Sequence, residues 1–345
     1  MDPAGTASEP LDVMVTGATG FVGFHTTRAL CEAGHRVRAL VRSTEKARRV
    51  LEPAGLSGVT VIRGDITDER SVEEALEGCN AVVHSAAMVS VHARDADAAM
   101  RTNVRGAELV LGGAVEQGIE RIVHVSSTTA LFRPDVRVID ESSPLGNNTR
   151  GYGASKIRCE RYVRDLQDRG APIQITYPGS VIGPDDPGLS EAVAGVKGMV
   201  ENRAVVVTTS GIQFIDVRDI AEAHRLLLER GGRPDLYLMG GHYLTWPDLA
   251  DTLERVTGER FARFPMPAIV MRSLGRVLDG IDRIVRLEAP VSEESADYAT
   301  DWAVADDRHV KDTLALEYRP LEDSLRDTID WLRNSGQLAP RWLPW

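Results

Sequence analysis

Apolar positions along the chain fall into two alternating kinds of run. Leu11–Val15, Val37–Val41, Val59–Arg63, Ala81–His84, Arg121–Val125 and Ile173–Tyr177 are short and nearly continuous, the pattern of strands buried on both faces. Between them, apolar residues recur every three or four positions. That spacing predicts helices over Phe21–Ala33, Asp68–Leu76 with Asp68 as its cap, Ala93–Gln117, and from Tyr152 to about Arg169. Strand and helix in strict alternation predict an α/β fold, a doubly wound parallel sheet. After Tyr177 the order breaks at Pro178-Gly179 and again over Gly183–Gly188, so the chain leaves the sheet there. Residues 185–211 read as part of a lid. Phe214–Val217 and Asp219–Glu229 return as a short strand and helix, and Leu236–Met239 as a last sheet strand. Thr245–Val256 and Asp323–Asn334 read as further helices.

Pro267–Leu287 has its own character. Val270, Leu274, Val277, Leu278, Ile281, Ile284 and Val285 stand at helix spacing opposite Arg272, Arg276 and Arg283. The expectation is a helix packed over a substrate cleft. An apolar substrate wall and a membrane-surface face are the alternatives, the second weakened because Asp279 and Asp282 dilute the basic side. Trp342 and Trp345 lie in a Pro-punctuated tail that either clamps onto the body or marks a partner contact.

Composition narrows the class. With 345 residues, 43% hydrophobic and 26% charged, the chain can bury a large core. A net charge of −11 argues against a nucleic-acid partner. Cys31, Cys79 and Cys159 form neither a metal pattern nor a disulfide set, which fits a reducing, cytoplasmic setting, and no metal ligand group is expected. No stretch approaches the roughly 18 apolar residues of a membrane span, and Met1–Pro10 reads as a loose tail.

Chemistry concentrates where predicted strands end. Val15-Thr16-Gly17-Ala18-Thr19-Gly20-Phe21-Val22-Gly23 is a strand, a glycine turn and a helix start, the order that cradles a dinucleotide pyrophosphate. Gly17 allows the turn, Gly20 the close approach of phosphate, and Gly23 the packing of helix on strand, with Thr19, Phe21 and Val22 in the same turn. The second strand ends at Arg42, with no acid before Glu45. An arginine there meets a 2′-phosphate where an acid would bind ribose hydroxyls, which points to NADP, with NAD as the alternative. Asp65 follows the third strand and suits an adenine amino group or a helix cap. After the fourth strand, the small Ser85-Ala86-Ala87 lets a ring or ribose lie against backbone, and His84 reads as a core-edge histidine. Asn103 sits inside a predicted helix, where its side chain competes for backbone bonds. Four hydroxyls, Ser126 to Thr129, follow the fifth strand. Tyr152 and Lys156 share a helical face. A phenol of pKa about 10 is a poor acid–base at neutral pH, and a neighbouring ammonium stabilises its phenolate.

Together, T-G-A-T-G-F-V-G (16–23), G-D-I-T-D (64–68), H-S-A-A (84–87), Asn103, R-I-V-H-V-S-S (121–127), Y-G-A-S-K (152–156), Y-P-G-S-V-I-G-P (177–184) and F-I-D-V-R-D-I-A (214–221) resemble the extended short-chain dehydrogenase/reductase family in its NAD-dependent epimerase/dehydratase branch. The resemblance covers about 11–335. It implies a Rossmann sheet with a smaller C-terminal substrate domain and a Ser127–Tyr152–Lys156 triad. It also implies a structural-water or proton-relay position at Asn103, adenine contacts from Asp65 and Ile66, and Tyr177, Pro178, Gly179 and Ser180 beside the nicotinamide. Homodimers are usual in that family, through the helices around Asn103 and Tyr152. R-I-V-H-V-S-S is similar to the matching strand of dihydroflavonol reductases and 3β-hydroxysteroid dehydrogenases, and V-R-S (41–43) to the NADP-reading segment of the former. Ala130-Leu131-Phe132 stands where sugar-nucleotide epimerases carry V-Y-G, and Tyr177 where an arginine often precedes the proline.

The expected division is a tail over 1–10, a dinucleotide-binding domain over 11–179 and 212–240, and a substrate domain over 180–211 and 241–345. The expected activity is NADP-dependent alcohol–carbonyl interconversion on an apolar small molecule of steroid, flavonoid or polyketide type. Two other readings stay open: a sugar-nucleotide epimerase or dehydratase that retains NAD, and a non-catalytic nucleotide sensor.

Overall fold

Strands without polar neighbours have to be covered on both sides, and helices do this here. The computed structural model describes residues 9–89, 96–134, 136–148, 151–282 and 293–338. The first half runs β1 (Asp12–Thr16), α1 (Phe21–Glu32), β2 (Arg36–Val41), α2 (Thr44–Leu51), β3 (Thr60–Arg63), α3 (Glu69–Leu76), β4 (Ala81–His84), α4 (Ala96–Glu116), β5 (Arg121–Val125), β6 (Val138–Ile139), α5 (Gly151–Asp168) and β7 (Ile173–Pro178). It continues with β8 (Ser180–Ile182), α6 (Glu191–Asn202), β9 (Ala204–Val207), β10 (Gly211–Asp216), α7 (Val217–Arg230), β11 (Asp235–Met239), β12 (His242–Thr245) and α8 (Trp246–Thr257). The last elements are β13 (Ala262–Pro265), α9 (Ala268–Asp282), α10 (Glu293–Thr300), β14 (Val304–Ala305), α11 (Arg308–Leu314) and α12 (Leu321–Asn334).

Seven strands make one sheet in the order β11-β7-β5-β4-β1-β2-β3, every pair parallel. Strand order reverses between β1 and β4, so a crevice opens at their carboxyl ends. One face, with Val13, Val15, Val37 and Val123, is covered by α1, α2 and α7 through Phe24, Leu30, Leu51, Ile220 and Leu227. The other, with Met14, Val82, Ile122 and Ile175, is covered by α3, α4 and α5 through Leu76, Val110, Leu111 and Val163. The predicted doubly wound sheet is therefore the observed one. Helix α2 carries only Ala47 and Leu51 into the core, too few apolar positions to have announced itself by periodicity.

The second lobe has its own core. Ile182, Val196, Val200, Phe214, Leu249, Leu253, Leu325 and Ile329 join β8, α6, β10, α8 and α12. The span 185–211 thus contributes a helix and a strand to this core and is no bare lid. The chain returns to the main sheet through α7 and β11. Strand β10 stays outside it, parallel to β8 and antiparallel to β12.

Helix α9 differs from its expectation. It does not turn its apolar stripe inward: Ile269 is 74% exposed and Val277 59%. Val270, Leu274 and Ile281 are exposed with them. The side facing α10 is the mixed one. Arg272 pairs with Asp297 at 3.1 Å and Arg276 with Glu293 at 2.6 Å, while Asp279 accepts the Glu293 amide at 3.1 Å. Helical spacing fixes which residues share a face; the acids of α10 chose the face. Ile284, Val285 and Arg283, the tail tryptophans Trp342 and Trp345, and residues 93–95 of the predicted helix over Ala93–Gln117 lie outside the described residues.

Buried imidazoles tie the layers together. His224 of α7 is wholly buried, with Nδ1 at 2.9 Å from Thr26 Oγ1 of α1 and Nε2 at 3.0 Å from Thr176 Oγ1 of β7. Burial pushes its pKa down to about 3, so it is neutral when folded and titrates near 6.5 when unfolded. Between those values the unfolded chain binds the extra proton, and stability falls as pH drops. Urea unfolding from pH 6 to pH 4 should therefore be flatter in His224→Asn than in the parent by about 1.4 kcal/mol per pH unit. Parallel curves would refute this assignment.

Candidate active site

At the end of β1, Gly17 takes φ +80°, a left-handed turn that an L side chain resists. A Cβ on Gly23 would come within 2.2 Å of the Gly17 carbonyl oxygen, so α1 sits directly on the turn. Gly20 begins the helix with no side-chain cap, and the first turn holds no acid. A Cβ at Gly20 would meet only the Gly17 oxygen, at 3.4 Å. An open helix N-terminus with free amide donors and room beside it fits a pyrophosphate. Phe21 is buried, and Thr19 and Val22 are half-buried at the same turn.

The loop after β4 closes against this turn. Ser85 Oγ donates to the Thr16 carbonyl at 2.7 Å, and the Ala86 amide to Thr16 Oγ1 at 3.2 Å. Ala87 follows, half-buried. Asn103 Oδ1 accepts the Met88 amide at 2.7 Å, and its Nδ2 donates to the Met88 carbonyl and to Ser155 Oγ, both at 3.1 Å. Protein partners fill three of the carboxamide's four positions. Asn103 thus braces the 85–88 loop against α5.

Around the crevice, Arg42 is exposed just past β2. The next residue, Ser43, is engaged as the cap of α2 and accepts the Lys46 amide at 3.1 Å. Asp65 Oδ1 accepts the Thr67 amide at 2.9 Å and hydroxyl at 2.7 Å. Asp68 caps α3 through the Ser71 amide at 3.0 Å, which leaves Asp65 out of that role. Ile66 packs against α4, where a Cβ on Gly106 would meet it at 2.5 Å.

Across the sheet, Lys156 is 5% exposed. Its Nζ donates to the Val125 carbonyl at 3.0 Å and stands 5.7 Å from the centre of the Tyr152 ring. Val125 ends β5, so this bond anchors α5 to the strand end that carries Ser127. Ser127 Oγ accepts the Thr129 amide at 3.3 Å and hydroxyl at 3.0 Å. It is half-buried, as Tyr152 is, while Thr128 is buried. Beneath them His84 and His124 stack, centroids 5.6 Å apart, and His84 Nδ1 lies 2.8 Å from Thr16 Oγ1. Burial first, and the Lys156 charge second, push His84 down to about 3. His124 is pushed down by burial, by His84 and by Lys156. Both rings are neutral at pH 7, as a core-edge histidine should be.

Tyr177 turns its side chain away from the crevice. Odd-numbered residues of β7 face α5, so its side chain enters that layer, 0% exposed. Its hydroxyl bonds the Glu160 carboxylate and accepts from Arg164 at 3.0 Å. Only its backbone is left to face the crevice. Pro178 is buried beside it, Gly179 donates to the Met239 carbonyl at 2.9 Å, and Ser180 opens β8. Glu160 also accepts the Ser126 hydroxyl at 2.8 Å and an Arg164 nitrogen at 3.0 Å. Sequence reasoning stopped at the first pair of a longer row: Tyr152, Lys156, Glu160 and Arg164 stand four apart on one helix face. It also missed Glu294, whose carboxylate accepts the Tyr152 and Gly153 amides; nothing in the pattern links α10 to α5.

The model of the NAD dependent epimerase/dehydratase family matches residues 13–240, from β1 through β11. The chain belongs to this family. Among curated relatives it is 28% identical over 331 residues to a putative dihydroflavonol 4-reductase of Synechocystis, covering 93% of this chain and 94% of that one. It is also 28% identical over 335 residues to sterol demethylase protein B of Methylococcus capsulatus, covering 95% and 100%. The solved structure of gox2253 superposes with a TM-score of 0.78 at 28% identity, over 94% of this chain and 99% of that one. As a family member the chain is an NAD(P)-dependent oxidoreductase of the extended short-chain dehydrogenase/reductase type. Among the described residues, no helix is long and apolar enough to cross a membrane.

The glycine turn yields a direct test. Gly23→Ala forces a methyl group into the Gly17 carbonyl, and overpacking of this kind costs about 1–3 kcal/mol. The urea midpoint should fall accordingly, and nucleotide affinity with it. An unchanged midpoint would show that the turn has slack.

Proposed function

We propose that this family member is an NADP-dependent reductase that interconverts a carbonyl and an alcohol on an apolar small molecule. The observation that carries the reading is the bond from Lys156 to Val125. It sets an ammonium beside Tyr152 at the strand end bearing Ser127, on the carboxyl edge of the sheet.

The cofactor's pyrophosphate is assigned to the Gly17–Val22 turn and its adenine to Asp65 and Ile66. The nicotinamide end is assigned to Ala86, Ala87 and the backbone from Tyr177 through Pro178 and Gly179 to Ser180. When bound, the nicotinamide supplies or accepts the hydride. In the reducing direction Tyr152 gives its phenolic proton to the carbonyl oxygen, and the Lys156 ammonium stabilises the phenolate left behind. Ser127 donates a hydrogen bond to the same oxygen, with Thr128 behind it. Asn103 keeps the 85–88 loop in place. Lys156 has a second role, in holding the nicotinamide ribose.

Preference for NADP rests on Arg42, an exposed guanidinium at the end of β2 with no acid before Glu45. An apolar substrate is supported by the names of the two relatives, a dihydroflavonol reductase and a sterol demethylase protein.

Charge-assisted hydrogen bonds contribute about 1.5–3 kcal/mol, so Arg42→Ala should weaken NADPH binding at least tenfold and leave NADH binding within about twofold. Fluorescence titration of both nucleotides checks this, and equal losses would overturn the NADP assignment. Tyr152→Phe should lower turnover of apolar ketones by about 10²–10⁴ with NADPH affinity unchanged. A variant as fast as the parent would remove Tyr152 from the chemistry. NAD that stays bound through purification and does not exchange would move the reading to an epimerase or dehydratase.

A further inference from the structure

The first N–H groups of any helix lack partners within it. In α5, two of them are taken by a side chain more than 140 residues further along. Glu294 Oε1 accepts the Gly153 amide at 2.8 Å, and Oε2 the Tyr152 amide at 3.2 Å. The same carboxylate accepts the Tyr298 hydroxyl at 2.9 Å and the Asn148 amide nitrogen at 3.4 Å. The fit is close: a Cβ on Gly153 would stand 2.9 Å from the Tyr298 oxygen and 3.0 Å from Glu294 Oε1.

Tyr298 extends the contact to the segment that follows β5. Its ring meets Phe132 edge-on, with centroids 4.8 Å apart, just past the turn that follows Ser127. Helix α10 is anchored at its far end to the second lobe, where the Ala299 carbonyl accepts Thr208 Oγ1 at 2.7 Å and Trp246 Nε1 at 3.1 Å. One short helix therefore touches the turn that carries Tyr152, the segment after Ser127, and the lobe that would hold a substrate.

We propose that Glu294, seated by Tyr298, is a positioning residue for Tyr152: it fixes the first turn of α5, and with it the aim of the phenol, and couples that aim to the second lobe. A carboxylate on helix amides is a charge-assisted pair that holds orientation as well as contributing energy. The proposal rests on the reading of Tyr152 as the proton donor, and its test is separable from that reading.

The test uses the full chain with tyrosine carrying carbon-13 at the ring ζ position, and no substrate. There are seven tyrosines, and Tyr152→Phe identifies the Tyr152 line. In Glu294→Ala that line should move by more than its own width. In Glu294→Gln, which keeps one acceptor oxygen but turns an NH2 donor toward the second helix amide, it should move less than in Glu294→Ala. With phenanthrenequinone and NADPH as the assay pair, the loss should fall on kcat, about tenfold, with KM little changed. A Tyr152 line in Glu294→Ala that coincides with the parent would overturn the proposal, even if the melting temperature falls, because the contact would then only stabilise. Should Glu294→Ala fail to fold, Tyr298→Phe removes one hydroxyl and reads the same line: a shift supports the proposal and coincidence refutes it. The carbonyl reading stands or falls separately, on the turnover of Tyr152→Phe.

Discussion

A buried ammonium must be satisfied, and the rest of the crevice is built around how Lys156 achieves it. Transfer of a charged group out of water is costly unless hydrogen bonds replace hydration. Lys156 meets that demand with the carbonyl of Val125, the last residue of a central strand. The bond fixes the rotation of α5, which places Tyr152 at the crevice and Ser155 under Asn103. Beneath it burial keeps His84 and His124 neutral, and the Lys156 charge adds to the effect. Two stacked imidazoles can be buried there because neither carries a charge to repel the lysine.

One helical turn further on, the face of α5 does the opposite with another phenol. Tyr177 is sealed between Glu160 and Arg164, and burial together with the Glu160 carboxylate raises it well above the ordinary phenol range. It is a permanently protonated donor, inert by placement. Tyr152, near the start of the same row, is half-open to the crevice. Two tyrosines against one helix face thus differ in what surrounds them, a buried carboxylate for one and an ammonium for the other.

The two lobes are joined by polar clamps as well as by apolar packing. Asp307 of the second half accepts the amides of Gly240 and Gly241 at 2.9 and 2.8 Å, at the end of β11. Glu294 does the same for the start of α5. Gln213, also buried, joins β10 to Ala305 from both ends of its amide. Each clamp satisfies backbone groups that a sheet or helix end leaves open, so the C-terminal segments complete the first domain rather than merely sit beside it.

The sequence by itself determined the sheet. Its strands read as short, mostly apolar runs alternating with helical patterns, and a parallel sheet covered on both faces suits that order. It also determined the glycine turn, because a side chain on Gly23 would collide with the backbone of Gly17, six residues back, and one on Gly17 with the Ser85-Ala86 loop. The Tyr152–Lys156 pair was legible because helix spacing is local. Tertiary structure alone decided the rest. Periodicity could place the apolar residues of α9 on one side, but the acids of α10 turned that side outward. The Y-P-G-S motif located Tyr177 at the end of β7, but strand alternation decided that its side chain enters the α5 layer. Glu294 reaches Tyr152 only through the fold, since no local rule connects residues more than a hundred positions apart. Local spacing fixes which residues share a face; which face meets which neighbour depends on long-range packing that the chain reaches only when it closes.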